Sequence, residues 1–322
     1  MKLPRFLKRV LTAGLALTMA VSIAGCGDGG GGKGENHLNI ATGGTSGAYF
    51  PIGTAISKVV NQNVEGIKTS VQSTGASVAN INMLAENQVQ MAIVQNDIAY
   101  YAVNGENMFD KKIDTLRGVA SLYPETLQFV TLIGSGIRTL DDLEGKRVAV
   151  GVKGSGVEVN VQQVLKAYNL TYDNIDEQFL SFAEAANALK EGTIDVACVT
   201  AGYPTPAIQD VAEEKSIRII PLDEDKISAL TKDYPFYTKT IIPADVYKGI
   251  SQETPTVSVM AILVTTDKVD EKTGYEVTKA IFSNTDKLVE AHPAAKAVDK
   301  KSALTGMGFI KMNDGAEKFL KE

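Results

Sequence analysis

"NMLAENQVQMAIVQ" (Asn82–Gln95) is the stretch that decides the fold, because it aligns without gaps on "NALKEGTIDVACVT" (Asn187–Thr200). Asn, Leu and Ala recur at equivalent positions, and Val89 is matched by Ile194. Each copy has the pattern of a helix followed by a buried strand. Unrelated βα units share such patterns by chance, so the repeat is a hypothesis. It predicts two lobes of similar design.

Upstream of the first copy, strand and helix patterns alternate. Strand-like runs occupy Leu38–Thr42, Ile67–Gln72 and Val89–Gln95. Between them, Pro51–Val64 and Ser77–Asn87 have apolar residues at helical spacing. The order β-α-β-α-β predicts an α/β fold, with a sheet covered by helices on both faces.

The chain is expected to cross from the first lobe to the second and then return. The apolar stretch Gly118–Ile133 would carry the chain across, and Ile241–Val264 would bring it back. Thr256–Thr266 is too apolar for a surface strand and should rejoin the first sheet, and the helical pattern beginning at Gly274–His292 should pack on the first lobe. The first lobe is therefore predicted to be discontinuous. The predicted boundaries are residues 37–130 and 250–322 for the first lobe and residues 131–249 for the second.

The N-terminus has the pattern of an export signal. Met1–Arg9 carries four basic residues and no acid, and Val10–Ile23 is mostly apolar. That run is shorter than the roughly 17–25 residues of a membrane-spanning helix, so a transmembrane anchor is the weaker interpretation. Residues 1–25 are therefore predicted to be a signal peptide, which places the mature protein outside the cytoplasm in the cell envelope.

The signal ends in Ile23-Ala24-Gly25-Cys26, which matches a bacterial lipobox. Cys26 would then be the lipidated first residue of the mature protein and would anchor it to the membrane. The alternative is an ordinary signal peptide with an incidental cysteine. Residues 26–36 are rich in glycine and nearly free of apolar side chains, as in a flexible tether.

Charge and cysteine content argue against nucleic-acid binding and against a disulfide. The 322-residue chain has a formal charge of −6, and loss of the four basic residues of the leader leaves −10. Because nucleic-acid binding requires a basic face, this balance argues against it. The only other cysteine, Cys198, has no predicted intramolecular partner, so no disulfide is expected.

Five turns rich in small residues follow the predicted strands. In open α/β sheets such turns meet at the carboxyl edge, where helices begin and unpaired backbone N–H groups point outward. Glycine allows close backbone approach, hydroxyls add donors, and helix N-termini attract anions. No arginine lies in these turns, so a carboxylate would be held by backbone groups. The turns are Gly43–Tyr49, Ser73–Ser77, Gln95–Asp97, Lys153–Val157 and Ala201–Pro204.

Individual residues in these turns have two possible roles. Ser77 and Ser155 are either helix caps or ligand donors. Tyr49 and Tyr203 are either core aromatic residues or walls of a ligand site. Asp97 either caps its helix or meets an ammonium group of the ligand.

Other site chemistries have no support in the sequence. There is no phosphate-loop, dinucleotide-binding or nucleophile-elbow motif, and the two histidines, His37 and His292, lie away from the turns. No His/Cys cluster suggests a transition metal. We therefore expect neither enzyme activity nor a cofactor nor a metal.

The lipobox and a series of motifs in order resemble the solute receptors of TRAP transporters in the TAXI branch (TRAP-associated extracytoplasmic immunogenic proteins). The resemblance implies a two-lobed type II periplasmic-binding-protein fold, a monomer, and a TRAP-type membrane permease as partner. Members described as binding glutamate or glutamine imply an amino acid or a related small organic acid as the solute. The motifs are "LNIATGGTSGAYFPIGTAI", "VQSTGASVANINML", "QMAIVQNDIAYYA", "VAVGVKGSGVEV" and "TAGYPTPAI".

The resemblance also implies which residues contact the ligand. The turn Gly43–Gly47 has an extra small residue relative to the family pattern, which leaves its register open by one. Two rival interpretations are a ligand sensor without a transport partner and, less favoured, an enzyme derived from this fold. The implied contacts are Gly44, Thr45, Ser46, Tyr49, Ser73, Gly75, Ala76, Asn80, Gln95 and Asp97 from the first lobe, and Ser155, Gly156, Val157, Gly202, Tyr203 and Pro204 from the second.

Overall fold

The computed structural model describes residues 36–322. The predicted signal peptide and Cys26 lie outside the described residues, as does all of the predicted tether except Asn36, which begins the first strand. The strands of the described part are β1 (Asn36–Ala41), β2 (Ile67–Gln72), β3 (Met91–Gln95), β4 (Leu116–Leu132), β5 (Arg147–Ala149), β6 (Asp176–Gln178), β7 (Val196–Ala201), β8 (Ile217–Ile220), β9 (Thr238–Ile242) and β10 (Thr254–Thr266).

Helices separate most of these strands. None of the helices within residues 36–322 combines the length and the apolar composition that a membrane crossing requires. The helices are α1 (Tyr49–Asn63), α2 (Ser77–Ala85), α3 (Asn96–Asn104), α4 (Gly156–Ala167), α5 (Phe182–Glu191), α6 (Pro206–Glu214), α7 (Glu224–Asp233), α8 (Glu271–Phe282), α9 (Thr285–Ala291) and α10 (Asp314–Lys321).

All the strands belong to one mixed sheet, ordered β2-β1-β3-β10-β4-β7-β5-β6. In addition, β8 pairs with β4 and β9 pairs with β10. β1 is parallel to β2 and β3, and β5 is parallel to β6 and β7, whereas β4 and β10 run antiparallel to their neighbours. We call β1–β3 with α1–α3 and α8–α10 the first side, and β5–β9 with α4–α7 the second side.

The two sides repeat one arrangement. The same strand order, 2-1-3, occurs in β1-α1-β2-α2-β3 and in β5-α4-β6-α5-β7. In the sheet, an antiparallel strand lies next to the third strand of each group. The offset that aligns Asn82 with Asn187 also places α2 on α5 and β3 on β7. The structure therefore confirms the internal repeat.

The long strands β4 and β10 join the two sides. The C-terminal part of β10 pairs with β3, whereas its N-terminal part pairs with β9. β4 pairs with β10 through its N-terminal part and with β7 and β8 through its C-terminal part. These pairings agree with the prediction that Gly118–Ile133 carries the chain across and that Thr256–Thr266 rejoins the first sheet.

Helices cover both faces of the sheet on each side, so apolar strand residues are buried. On the first side, Ile52 of α1 packs in one core and Ile98 of α3 in another. On the second side, Val161 of α4 and Ile208 of α6 belong to two separate cores. This double covering is the α/β fold that the alternation of elements predicts.

The C-terminal region differs from the prediction in one respect. The predicted helical segment Gly274–His292 is divided into two helices, because α8 ends at Phe282 and α9 starts at Thr285. Asn284 has a non-helical backbone, and its side-chain amide donates to the carbonyl of Ala280 at 2.8 Å. An asparagine that bonds the last turn in this way favours a helix end over continuation.

Candidate functional site

A cavity of about 90 Å³ lies between the two sides. One buried water requires only about 10–15 Å³, so the space suits a small organic molecule. The residues lining it are Gly43, Gly44, Gly47, Ala48, Tyr49, Thr74, Gly75, Ala76, Ser77, Gln95, Glu125, Val152, Ser155, Gly156, Val157, Ser181, Phe182, Thr200 and Ala201.

Five helices begin at this cavity. The residues that precede α1 to α5 all line it, and they are Ala48, Ala76, Gln95, Ser155 and Ser181. The first N–H groups of a helix lack partners within the helix, and each N-terminus carries a partial positive charge of about one half. The first three of these helices have no side-chain cap. The cavity is therefore surrounded by positive helix ends, which favours an anionic group.

Two of the five helices are capped by serine. Ser155 Oγ accepts from the Glu158 N–H at 3.3 Å, and Ser181 Oγ accepts from the Glu184 N–H at 3.3 Å. Ser155 thus caps its helix and also lines the cavity. Ser77 is the first residue of α2, and its Oγ accepts from the Gln95 N–H at 3.0 Å.

Two polar atoms at the cavity are buried without a hydrogen-bond partner. They are Gln95 Oε1 at the end of β3 and Thr200 Oγ1 in β7, which occupy equivalent positions of the internal repeat. Native proteins rarely leave buried polar atoms unpaired, because each one costs about 1–3 kcal/mol. A ligand in the cavity would supply the missing partners.

One acidic side chain, Glu125 of β4, lines the cavity. Its Oε2 accepts from the Tyr49 hydroxyl at 2.6 Å, and the residue is 2 % exposed. Burial raises the pKa of Glu125 well above its usual value, the Tyr49 hydrogen bond opposes the shift, and the charge of Asp97 adds to it. None of the lining residues is Lys, Arg or His. Glu125 is therefore a buried carboxyl group without a cationic partner at this site.

Half of the predicted contact residues line the cavity. They come from both sides, so the structure brings the predicted turns together. They are Gly44, Tyr49, Gly75, Ala76, Gln95, Ser155, Gly156 and Val157.

Three predicted contacts at the turn tips do not line the cavity. Thr45 is exposed, and Ser46 presents its backbone carbonyl to the Ala207 N–H of the second side at 3.3 Å. Ser73 is also exposed, and its Oγ donates to the Gly43 carbonyl at 2.8 Å. Ser46 thus joins the two sides and Ser73 holds a turn, and the structure does not place Thr45, Ser46 or Ser73 in the cavity lining.

Asn80 and Asp97 are also predicted contacts that lie outside the cavity. The Asn80 amide donates to the carbonyls of Thr42 at 2.6 Å and Ile93 at 2.9 Å. Asp97 is fully buried and accepts from the side chain of Asn160 in α4 at 2.7 Å. Asn80 therefore holds β1 and β3 together, and Glu125 replaces Asp97 as the acid at the cavity.

The predicted turn Gly202-Tyr203-Pro204 lies behind the cavity. Gly202 is in close contact with Ala294 and with the ring of Tyr123, and Tyr203 packs against a core of the second side. The cavity wall ends one residue earlier, at Ala201. Gly202, Tyr203 and Pro204 are therefore predicted contacts that do not line the cavity.

Several lining residues were missed, although the sequence contains signals for them. Glu125 is a lone acid in an apolar crossing segment, and such a residue requires a special partner if buried. Thr200 is the repeat equivalent of Gln95, and Ser181 is the equivalent of Ala76. Ser181 also begins the capping box Ser181-Phe182-Ala183-Glu184, which marks a helix start at the site.

Ala76 has a strained backbone and permits a direct test of the cavity wall. Its φ is 68° and its ψ is −148°, a region that is almost restricted to glycine. We expect Ala76→Gly to raise the free energy of unfolding by about 1 kcal/mol, because relief of strain exceeds the entropy that glycine loses on folding. Urea denaturation measures this change, and Ala79→Gly in the following helix is the control that should destabilise. A loss of stability in Ala76→Gly would contradict the assigned conformation.

An α/β molecule with two repeated halves, two connecting strands and a cavity at the helix N-termini has the periplasmic-binding-protein fold, and solved structures share it. MatC from Rhodopseudomonas palustris with bound malate matches with a TM-score of 0.55 at 11 % identity, over 81 % of this chain and 88 % of that one. A putative L-cystine ABC transporter protein from Listeria monocytogenes matches with a TM-score of 0.53 at 14 % identity, over 81 % and 97 %. The alkanesulfonate-binding protein SsuA from Xanthomonas axonopodis pv. citri bound to MOPS matches with a TM-score of 0.50 at 14 % identity, over 88 % and 83 %.

The chain belongs to the NMT1-like family, whose model matches residues 40–322. The match includes the cavity and both sides of the sheet. It leaves out the predicted signal peptide and the predicted tether.

Proposed function

We propose that this protein is an extracytoplasmic solute-binding protein that captures one small carboxylate-bearing solute, an amino acid such as glutamate or glutamine. The observation that carries the proposal is the cavity between the two sides at which five helices begin. The lining has no cationic side chain, so backbone N–H groups and helix dipoles would hold the carboxylate.

Glu125 supports an amino acid over other small acids. Its Oε2 is occupied by Tyr49, whereas no residue among 36–322 donates to Oε1. An ammonium group beside Oε1 would lower the pKa of this carboxyl group and neutralise its charge. A solute with a carboxylate and an ammonium group would thus satisfy both the helix ends and Glu125.

Capture would occur by closure of the two sides as lobes. The lobe boundaries proposed from the sequence place residues 37–130 and 250–322 in one body and residues 131–249 in the other. Contacts such as that of Ser46 with Ala207 form between them only when they approach. A solute that touches both bodies has additional contacts in the closed form and shifts the equilibrium toward it.

The solute would be delivered to a membrane transporter. The resemblance to TAXI receptors favours a TRAP-type secondary transporter, and the lipobox favours a mature protein anchored through lipidated Cys26. An ABC-type transporter is the second candidate, because the structurally similar Listeria monocytogenes protein is named as part of one. Solute uptake by membrane vesicles separates the two: a secondary transporter requires an ion gradient, whereas an ABC transporter requires ATP.

Glu125→Gln tests the proposed function through ligand selectivity. We expect the wild type to bind L-glutamate more tightly than 2-oxoglutarate, which lacks the ammonium group. The substitution should weaken L-glutamate binding about 10- to 100-fold, because a charged hydrogen bond is lost, and should change 2-oxoglutarate binding much less. Isothermal titration calorimetry measures both affinities, with Glu106→Gln at an exposed position as the control. Equal weakening of both ligands would refute the role of Glu125, and absence of binding by any small carboxylate would refute the function.

A further inference from the structure

Asp97 and Asn160 form a buried contact between the two sides that the solute site does not use. Asp97 lies in the first turn of α3 and Asn160 in α4, and both are fully buried. Asn160 Nδ2 donates to Asp97 Oδ2 at 2.7 Å. Gln95, the residue before α3, and Gly156, the first residue of α4, both line the cavity, so this contact connects two helices whose N-terminal ends lie at the cavity.

The remaining oxygen atoms of this pair have no donor. Asp97 Oδ1 and Asn160 Oδ1 are both buried without a hydrogen-bond partner. The amide cannot turn over to correct this, because Nδ2 also donates to the Tyr237 hydroxyl at 2.9 Å, and that hydroxyl donates to Gln163 Oε1 at 2.5 Å. The pair therefore lacks one donor, and a proton on the Asp97 carboxyl group would supply it.

No cation compensates the charge of Asp97. The groups that act on it are the phenols of Tyr101 on its own helix and Tyr237 before β9, the carboxyl of Glu125 in β4, the amide of Asn160, and the backbone N–H groups of Asp97 and Ile98 at the start of α3, which favour the ionised form. Burial raises the pKa of Asp97 to about 7, although the hydrogen bonds from Asn160 and from the backbone N–H groups of Ile98 and Asp97 oppose the shift. Ionised Asp97 is therefore destabilising in the closed arrangement.

We propose that the Asp97–Asn160 contact is a proton-dependent latch: the two sides close on the solute when Asp97 is protonated and separate more readily when it is ionised. The protonated acid and the amide then exchange two hydrogen bonds across the interface between α3 and α4. The inference rests on the closure described under the proposed function and adds a regulation to it.

The direction of the pH effect follows from linkage. In an open form, solvated Asp97 would titrate near its ordinary value of about 3.9. When the pH lies between that value and about 7, Asp97 takes up a proton as the two sides close. The closing equilibrium constant therefore falls by up to about tenfold per pH unit as the pH rises through this window. Above about pH 7 Asp97 is ionised in both forms, so the closing equilibrium constant no longer changes with pH.

Asp97→Asn tests the latch, because an amide at this position supplies the missing donor at every pH. We expect L-glutamate affinity of the wild type to fall about 30-fold between about pH 5.5 and about pH 8, and that of Asp97→Asn to change much less. Glu125 is present in both proteins, so the difference in pH dependence between the wild type and Asp97→Asn reports on Asp97. Asp110→Asn at an exposed position should keep the wild-type pH dependence.

Hydrogen exchange of the ligand-free full chain in detergent gives a second readout. After correction for intrinsic exchange rates, amides of α3 and α4 should lose protection with rising pH in the wild type and retain it in Asp97→Asn. Equal pH dependence of wild type and Asp97→Asn in both measurements would overturn the latch. If the exchange result appears but no carboxylate binds, the latch is supported and the proposed function fails.

Discussion

Gly156→Val is expected to reduce solute affinity about 100-fold while the protein remains folded. Gly156 is the first residue of α4 and packs directly against the side chain of Gln95 at the cavity. A Cβ at this position would overlap the Gln95 amide, which is 3 % exposed and has little room to move. Overpacking of this kind costs about 1–3 kcal/mol, and here the cost falls on the closed form.

Calorimetry of L-glutamate binding measures this effect, and urea denaturation confirms that the variant is folded. Gly308→Val is the matched control, because a Cβ there meets no atom within 4 Å. Gly156 is not in the left-handed region of φ, so the substitution adds no backbone strain. Unchanged affinity in Gly156→Val would show that the approach of α4 to Gln95 is not part of binding.

Asn80→Asp is expected to lower the free energy of unfolding by about 4 kcal/mol. The amide of Asn80 donates to the carbonyls of Thr42 and Ile93, and its Oδ1 accepts from the Thr74 hydroxyl at 2.5 Å. An aspartate would lose both donors and place a buried carboxylate against two carbonyl oxygens. Each unsatisfied buried group costs about 1–3 kcal/mol, and a charge adds to this.

Urea denaturation at neutral pH measures the loss. Asn63→Asp is the control, because Asn63 is exposed and donates only to the Val59 carbonyl. We expect the control to lose less than about 1 kcal/mol. A small effect of Asn80→Asp, combined with lost solute binding, would instead return Asn80 to the ligand contacts that the family resemblance implies.

The fold could be predicted from the sequence because both sides use the same simple pattern. Apolar periodicity identifies β1 to β3 and the helices between them, and the alignment of Asn82–Gln95 with Asn187–Thr200 identifies the second copy. The break between α8 and α9 was not predicted, because it depends on one side-chain bond of Asn284 to Ala280.

The site could be predicted only to the level of turns. Glycine-rich turns after strands meet at one edge, as the residues Gly44, Gly75 and Gly156 show. The direction of each side chain depends on tertiary contacts, so Asp97, which was predicted at the cavity, lies outside it, and Glu125, which was not predicted, lines it. A sequence shows that an acid is near a turn, but it does not show which helix that acid faces.

A crystal structure of the protein grown with L-glutamate tests the central claim most directly. We predict one glutamate in the cavity between the two sides, with its carboxylate at the N-termini of α2 and α4 and its ammonium group beside Glu125 Oε1. The side chains of Gln95 and Thr200 should then have hydrogen-bond partners. An empty cavity at saturating L-glutamate, or a glutamate bound outside the helix N-termini, would contradict the account.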